Sequence, residues 1–171
     1  MSFTCIHRVI IINKQKVVKV PVGLRMLVRR VCNSVFRRED FSKSADVSVI
    51  FVDNAYIQDL NKRYCNKDVP TNLLSFSTLK DGEFEVNPET GAKIIGDIII
   101  SLEKAKTTVD ESYGGGLILS LEELVMSWTA HGLLHLLGYN HEKSCSDNMQ
   151  MIEKVNNVMN LVGFSRSRLT I

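Results

Sequence analysis

A chain of 171 residues suits one compact domain, and 44% hydrophobic with 23% charged residues is the composition of an ordinary globular protein, far from the disordered class. The longest apolar stretch, residues 121–137, is broken by Glu122, Glu123, His131 and His135, which excludes a membrane-spanning helix there. The apolar run 9–12 is too short for a secretory signal, so a cytoplasmic protein is expected, and four scattered cysteines (Cys5, Cys32, Cys65, Cys145) with no CxxC pair fit a reducing compartment. Net charge is +2, yet residues 1–43 hold ten Lys/Arg against two Asp/Glu while the other 128 hold eleven against seventeen. That asymmetry suits a polyanionic partner such as RNA, or equally a solvated helix face carrying Arg25, Arg29, Arg30, Arg37 and Arg38.

No repeat or low-complexity tract divides the chain, so residues 1–171 are read as a single domain. Residues 3–13 are β-branched enough for a strand, and a polar turn at 14–16 leads through a short extended piece to Pro21. Leu24, Leu27, Val28, Val31 and Val35 then follow the helical period within 22–38, with the arginines on the other face. Residues 46–53 read as a strand, 54–64 as a helix burying Ile57 and Leu60, and 73–76 as a short strand after a polar loop. Residues 78–92 form a loop and 93–101 a strongly β-branched strand. Three helices follow: 102–111, one opening at Ser120 with Glu123 in capping-box spacing, and 146–162 ending before Gly163. The expectation is an α+β domain with a small, mixed, four-stranded sheet packed by helices, because helices segregated late in the chain argue against a doubly wound fold.

Chemistry concentrates in one string. Of four histidines, three lie in HGLLHLLGYNH, residues 131–141. His131 and His135 are four apart on a predicted helix and project from one face within reach of one metal ion. Gly138 stands where the helix should end, and a left-handed turn there can bring His141 back toward the same ion. Three imidazoles suit zinc, with nickel or copper also possible, and leave a fourth position for water; such water titrates near ~7 and supplies hydroxide at neutral pH. Trp128, with Leu124, Leu133 and Leu136, reads as core. The spacing HxxxHxxGxxH is also that of metzincin peptidases, but their glutamate after the first histidine, the general base, is Gly132 here, so metal binding survives the comparison and peptide hydrolysis does not. Residues alone reach a metal-assisted hydrolase and no further.

The string resembles the signature of the YbeY family, HGxLHLxGYDH. Residues 60–77, LNKRYCNKDVPTNLLSFS, are similar to the family's LNxxYRxKDxPTDVLSFP, and residues 95–98 to its LGDI strand. The resemblance implies a zincin-like α+β fold and a metal-dependent, single-strand-specific endoribonuclease of ribosomal RNA processing, acting in small-subunit 3′-end maturation and ribosome biogenesis. It implies one Zn2+ held by His131, His135 and His141 plus water, with His131 and Asp97 in catalytic positions. A cleft receiving single-stranded RNA would draw on Arg63, Lys67, Thr71 and Ser75, and the partners would be ribosomal RNA or the ribosome, with no membrane.

Four positions depart from the pattern. Cys65 replaces the arginine after Tyr64, removing a guanidinium suited to phosphate or transition-state charge, for which Arg63 or Lys67 could substitute. Asn140 replaces the aspartate before His141, losing a charge beside that ligand, with a modest fall in metal affinity expected, and Asn72 and Ser77 replace an aspartate and a proline, with loop shape the expected consequence. Cys65 motivates a second reading, a ribosome-assembly factor that binds RNA or ribosomal protein without cutting. A third makes the metal structural, closed by Cys145 as fourth ligand.

Overall fold

In the computed structural model, which describes residues 5–112, 120–139 and 145–164, the β-branched runs become strands and the 3.6-period segments helices. In chain order the described elements are β1 (His7–Asn13), α1 (Leu24–Arg38), β2 (Ala45–Val52), α2 (Asn54–Cys65), β3 (Leu73–Ser77), β4 (Glu85–Val86), β5 (Lys93–Ser101), α3 (Leu102–Ser112), α4 (Leu121–Leu136) and α5 (Cys145–Leu161). The strands make one mixed sheet in the order β1-β2-β5-β3. Here β1, β2 and β5 run parallel, β3 is antiparallel to β5, and β4 also pairs antiparallel with β5. The four expected strands are present, and β4 is a correction to the loop expected over 78–92. Two exposed residues among turn formers carry no periodicity, and their strand character comes from pairing with Ile94 and Lys93.

Side-chain alternation sorts the sheet into two faces. Val9, Ile11, Val47, Val49, Ile98 and Ile100 enter the main core with the apolar sides of α1, α3, α4 and α5. On the other face Val52 and Ile99, with the half-buried Ile50, Leu74 and Phe76, pack against Ile57 and Leu60 of α2. Helix α1 buries Leu24, Val28, Val31 and Val35 as its periodicity demands, together with Cys32 and Phe36, and leaves all five of its arginines exposed. Burial pushes the Cys32 thiol up to about 12, so it behaves as a small apolar side chain.

Helix α4 is the central element. Ser120 and Glu123 form the expected reciprocal cap: Glu123 N donates to Ser120 Oγ (3.1 Å) and Ser120 N to Glu123 Oε2 (2.8 Å). From Leu124 to Leu134 every side chain position is buried, Trp128 included, because α4 lies between the sheet and the neighbouring helices. Close approach explains Gly132. A Cβ there would stand 2.9 Å from Ile98 Cγ2 and 3.3 Å from Leu73 Cδ1, so α4 sits on β5 and β3 at a separation that no larger side chain permits without displacement.

Candidate metal centre

The last turn of α4 brings His131 and His135 together. Their Nε2 atoms are 3.0 Å apart, with the rings edge to face at 78°. His131 is 8% exposed, and His135 is half-buried. The nitrogen Nδ1 of His135 lies 2.8 Å from the carbonyl oxygen of Tyr139. A carbonyl can only accept, so Nδ1 carries the proton and Nε2 presents its lone pair to the side where His131 stands. Two imidazole nitrogens on one tetrahedral zinc, each at 2.0–2.1 Å, lie about 3.3 Å apart, so the observed pair needs only a slight opening to fit such an ion.

The turn that supplies this carbonyl is built as the sequence suggested. Gly138 adopts the left-handed conformation (φ 99°), with its N–H donating to His135 O (2.9 Å) and the N–H of Tyr139 to Leu134 O (3.1 Å). Two further clasps hold it. Ser77 Oγ, on β3, donates to Leu136 O (2.9 Å) and accepts from Leu79 N (3.0 Å), tying the end of α4 to the sheet. A proline at position 77 could make neither bond, so this departure anchors the helix end rather than only reshaping a loop. Tyr139 Oη donates to Glu39 Oε2 (2.5 Å) at the C-terminal end of α1, and Lys154 Nζ of α5 donates to both Glu39 oxygens (2.9 Å) while lying 4.6 Å from the Tyr139 ring centre. The hydrogen bond to Glu39, with burial second, raises the Tyr139 hydroxyl above its ordinary pKa. For Lys154 burial pulls downward, but its bonds to Glu39 and Tyr139 prevail and raise it. Sequence reading missed this triad, because its members are separated by up to 115 residues.

Residues 10–163 match the family model described as endoribonuclease YbeY. The chain belongs to the endoribonuclease YbeY family. A relative of that name from Bacillus licheniformis is 38% identical over 152 residues, covering 87% of this chain and 92% of its own length. Another of the same name, from Desulforamulus reducens, is 37% identical over 158 residues, covering 92% and 99%. A solution structure of a Thermotoga maritima protein superposes with a TM-score of 0.55 at 20% identity, over 90% of this chain and 88% of that one, which supports the fold.

Against the YbeY expectations the structure separates the candidate residues by face. Ser75 pairs with Ile98 and shares the α4 face of the sheet with Ser77, so it lies on the side of His131 and His135. Asp97, expected beside the metal, does not. It pairs with Phe76 and Ser48, whose side chains belong to the α2 face, and it is exposed there with the sheet between it and α4. The expectation took Asp97 as an isolated carboxylate in an apolar strand. Strict alternation from the buried Ile98 sets its direction the other way. Arg63 lies exposed on α2 in an ion pair with Asp59, one turn away, and Lys67 is exposed just beyond the helix, while Thr71 is half-buried ahead of β3. Cys65 is the exposed last residue of α2. His141 and Asn140 lie outside the described residues, as does the Cys145 side chain, so two of the three expected ligands are placed.

Proposed function

We propose that this chain is a zinc-dependent endoribonuclease that hydrolyses single-stranded RNA in the cytoplasm, acting in small-subunit ribosomal RNA 3′-end maturation and ribosome biogenesis, on a zincin-like plan with His131, His135 and His141 as the three metal ligands. Membership of the endoribonuclease YbeY family supports the enzyme class and the RNA substrate. The observation that carries the metal reading is the His131–His135 pair, with facing Nε2 atoms and the His135 tautomer set by Tyr139 O. A carbonyl partner on the far nitrogen is the arrangement by which metal-binding histidines are oriented and made more basic.

Zinc bound there would lower the pKa of a coordinated water toward ~7 and stabilise negative charge on a phosphoryl oxygen. The chain's own residues do the positioning. The Tyr139 carbonyl holds the His135 ring, Ser77 holds the last turn that carries it, and the Glu39–Tyr139–Lys154 triad holds the turn. Gly132 leaves no general base after the first histidine, and any side chain there would have to displace the Ile98 side chain. Asp97, on the other face of the sheet, takes no part in this positioning.

A second reading, a ribosome-assembly factor that binds without cutting, is favoured by the thiol of Cys65 where the family pattern has a guanidinium. One experiment separates the two. End-labelled single-stranded RNA is incubated with the wild type and with His135→Ala, in zinc and in chelator, beside a measurement of bound zinc. Zinc-dependent cutting lost in the variant is expected. Stoichiometric zinc with no cutting would leave the assembly-factor reading standing, and equal cutting by both proteins would expose a contaminant.

A further inference from the structure

The five arginines of α1 are all exposed, yet the ion pairs among the described residues use other cations: Arg8, Lys62, Arg63, Lys93, Lys106 and Lys154. No described carboxylate stands within ion-pair distance of Arg25, Arg29, Arg30, Arg37 or Arg38, and the nearest along the chain, Glu39, is taken by Lys154 and Tyr139. Arg25 donates to the carbonyl of Ile11 (2.9 Å), which leaves its charge unneutralised. At 100° per residue Arg30 and Arg37 fall close to one line of the helix and Arg29 about 100° around from Arg30, so these three span the side opposite the buried Leu24, Val28, Val31 and Val35, with Arg25 and Arg38 at its margins.

Like charges at helical spacing repel, and an exposed face that served only solubility would intersperse both signs. A one-sign stripe made wholly of arginine, the side chain whose fork fits phosphate oxygens, is complementary to a polyanionic backbone. The stripe also has a direction. Its C-terminal end meets Glu39, which holds Tyr139, whose carbonyl holds His135, so a helix about 22 Å long leads to the rim of the metal centre. The apolar side of α1 is consumed by the core, and the large apolar side chains left exposed here, Met26 with Val22 just before the helix, are too few to form the broad apolar face that inserts into a lipid surface.

We infer that the exposed face of α1 is a docking track for the phosphate backbone of RNA flanking the scissile bond, with Arg29 and Arg30 among its contacts. The inference rests on the RNA reading above and adds where the rest of the strand lies.

The test is the salt dependence of binding of a fluorescein-labelled single-stranded RNA, followed by anisotropy with chelator present to prevent cutting. Each phosphate contact on a single strand contributes about 0.7 to the slope of log affinity against log salt, so Arg29→Gln/Arg30→Gln should flatten the slope by about 1.4. Arg29→Lys/Arg30→Lys, which keeps both charges, should retain the wild-type slope, and KM for a long RNA should rise in the glutamine variant with kcat unchanged. Wild-type slope in a folded glutamine variant overturns the track and leaves the RNA reading intact. Loss of binding to phosphatidylserine vesicles, with the RNA slope unaltered, overturns it in favour of a lipid surface. A wild type that neither binds nor cuts RNA overturns the reading on which the track rests.

Discussion

Replacing Gly96 by alanine adds one methyl group where the backbone of the neighbouring strand already stands. The backbone at Gly96 has φ 138°, and a Cβ there would stand 2.1 Å from Phe76 O and 3.0 Å from both Phe76 C and Ser77 Cα. All three atoms are backbone, so no side chain can rotate away. Restoring ordinary contact requires β3 to retreat from β5 by about 1.3 Å, a quarter of the usual interstrand spacing. Such a shift breaks or stretches the ladder bonds around the Ser77–Gly96 pair, at about 0.5–1.5 kcal/mol each. A non-glycine residue in this backbone region adds about 1–3 kcal/mol. A loss of about 3–5 kcal/mol is expected, which for a chain of this size lowers Tm by roughly 6–20 °C. Urea unfolding followed by circular dichroism measures it as a lower midpoint at unchanged slope. Because Ser77 holds the end of α4 through Leu136 O, the folded variant should also bind zinc more weakly. A stability loss below about 1 kcal/mol would refute the close approach of β3 and β5 and the reasoning built on it.

Tyr139→Phe keeps the ring beside Lys154 but removes the hydroxyl that donates to Glu39, so the turn that orients His135 loses one anchor; zinc affinity measured by chelator competition should fall by up to about tenfold, and an unchanged affinity would show that the turn is held without it. Asp46, in β2, is buried. Burial pushes its carboxyl upward, but hydrogen bonds from Arg8 (2.6 and 3.1 Å) and Asn87 (2.9 Å), with the Arg8 charge, outweigh that and hold it below the usual carboxylate range. A carboxyl lowered in the folded state contributes stability that is complete above its unfolded value, about 3.9, and is lost as pH falls through the folded value. Arg8→Gln removes the charge and the strongest opposition to desolvation and leaves Asn87 as the remaining donor, so the midpoint of acid unfolding should move to higher pH, and an unmoved midpoint would contradict the pairing.

Local chemistry made most of the fold legible. The isoleucine-rich sequence of β5 and the Ser120–Glu123 cap each announce themselves within a few residues, and both stand where the sequence pattern puts them. The His131–His135 pair was legible for the same reason, since helical spacing alone brings the two rings to one face. What failed was either too short or too distant. β4 has two residues and exists only by virtue of its neighbour. The direction of Asp97 does not follow from its apolar surroundings, and it is the alternation through Ile98 and Ile100 that carries that information. Glu39 gave no signal, for its meaning depends on residues 100 and 115 positions away.

That separation orders the assembly of the molecule in time. Glu39 is synthesised long before Tyr139 and Lys154, and β1, α1 and β2 can pair and pack while α4 is still unmade. Until α5 emerges and Lys154 arrives, Glu39 waits at the end of α1 without its cation, and the turn that aims His135 closes against an uncompensated carboxylate. The ion pair therefore acts as a completion check: a chain stopped before residue 154 can own every described strand, His131, His135 and the turn beside them, yet lack the cation that completes the clasp on that turn.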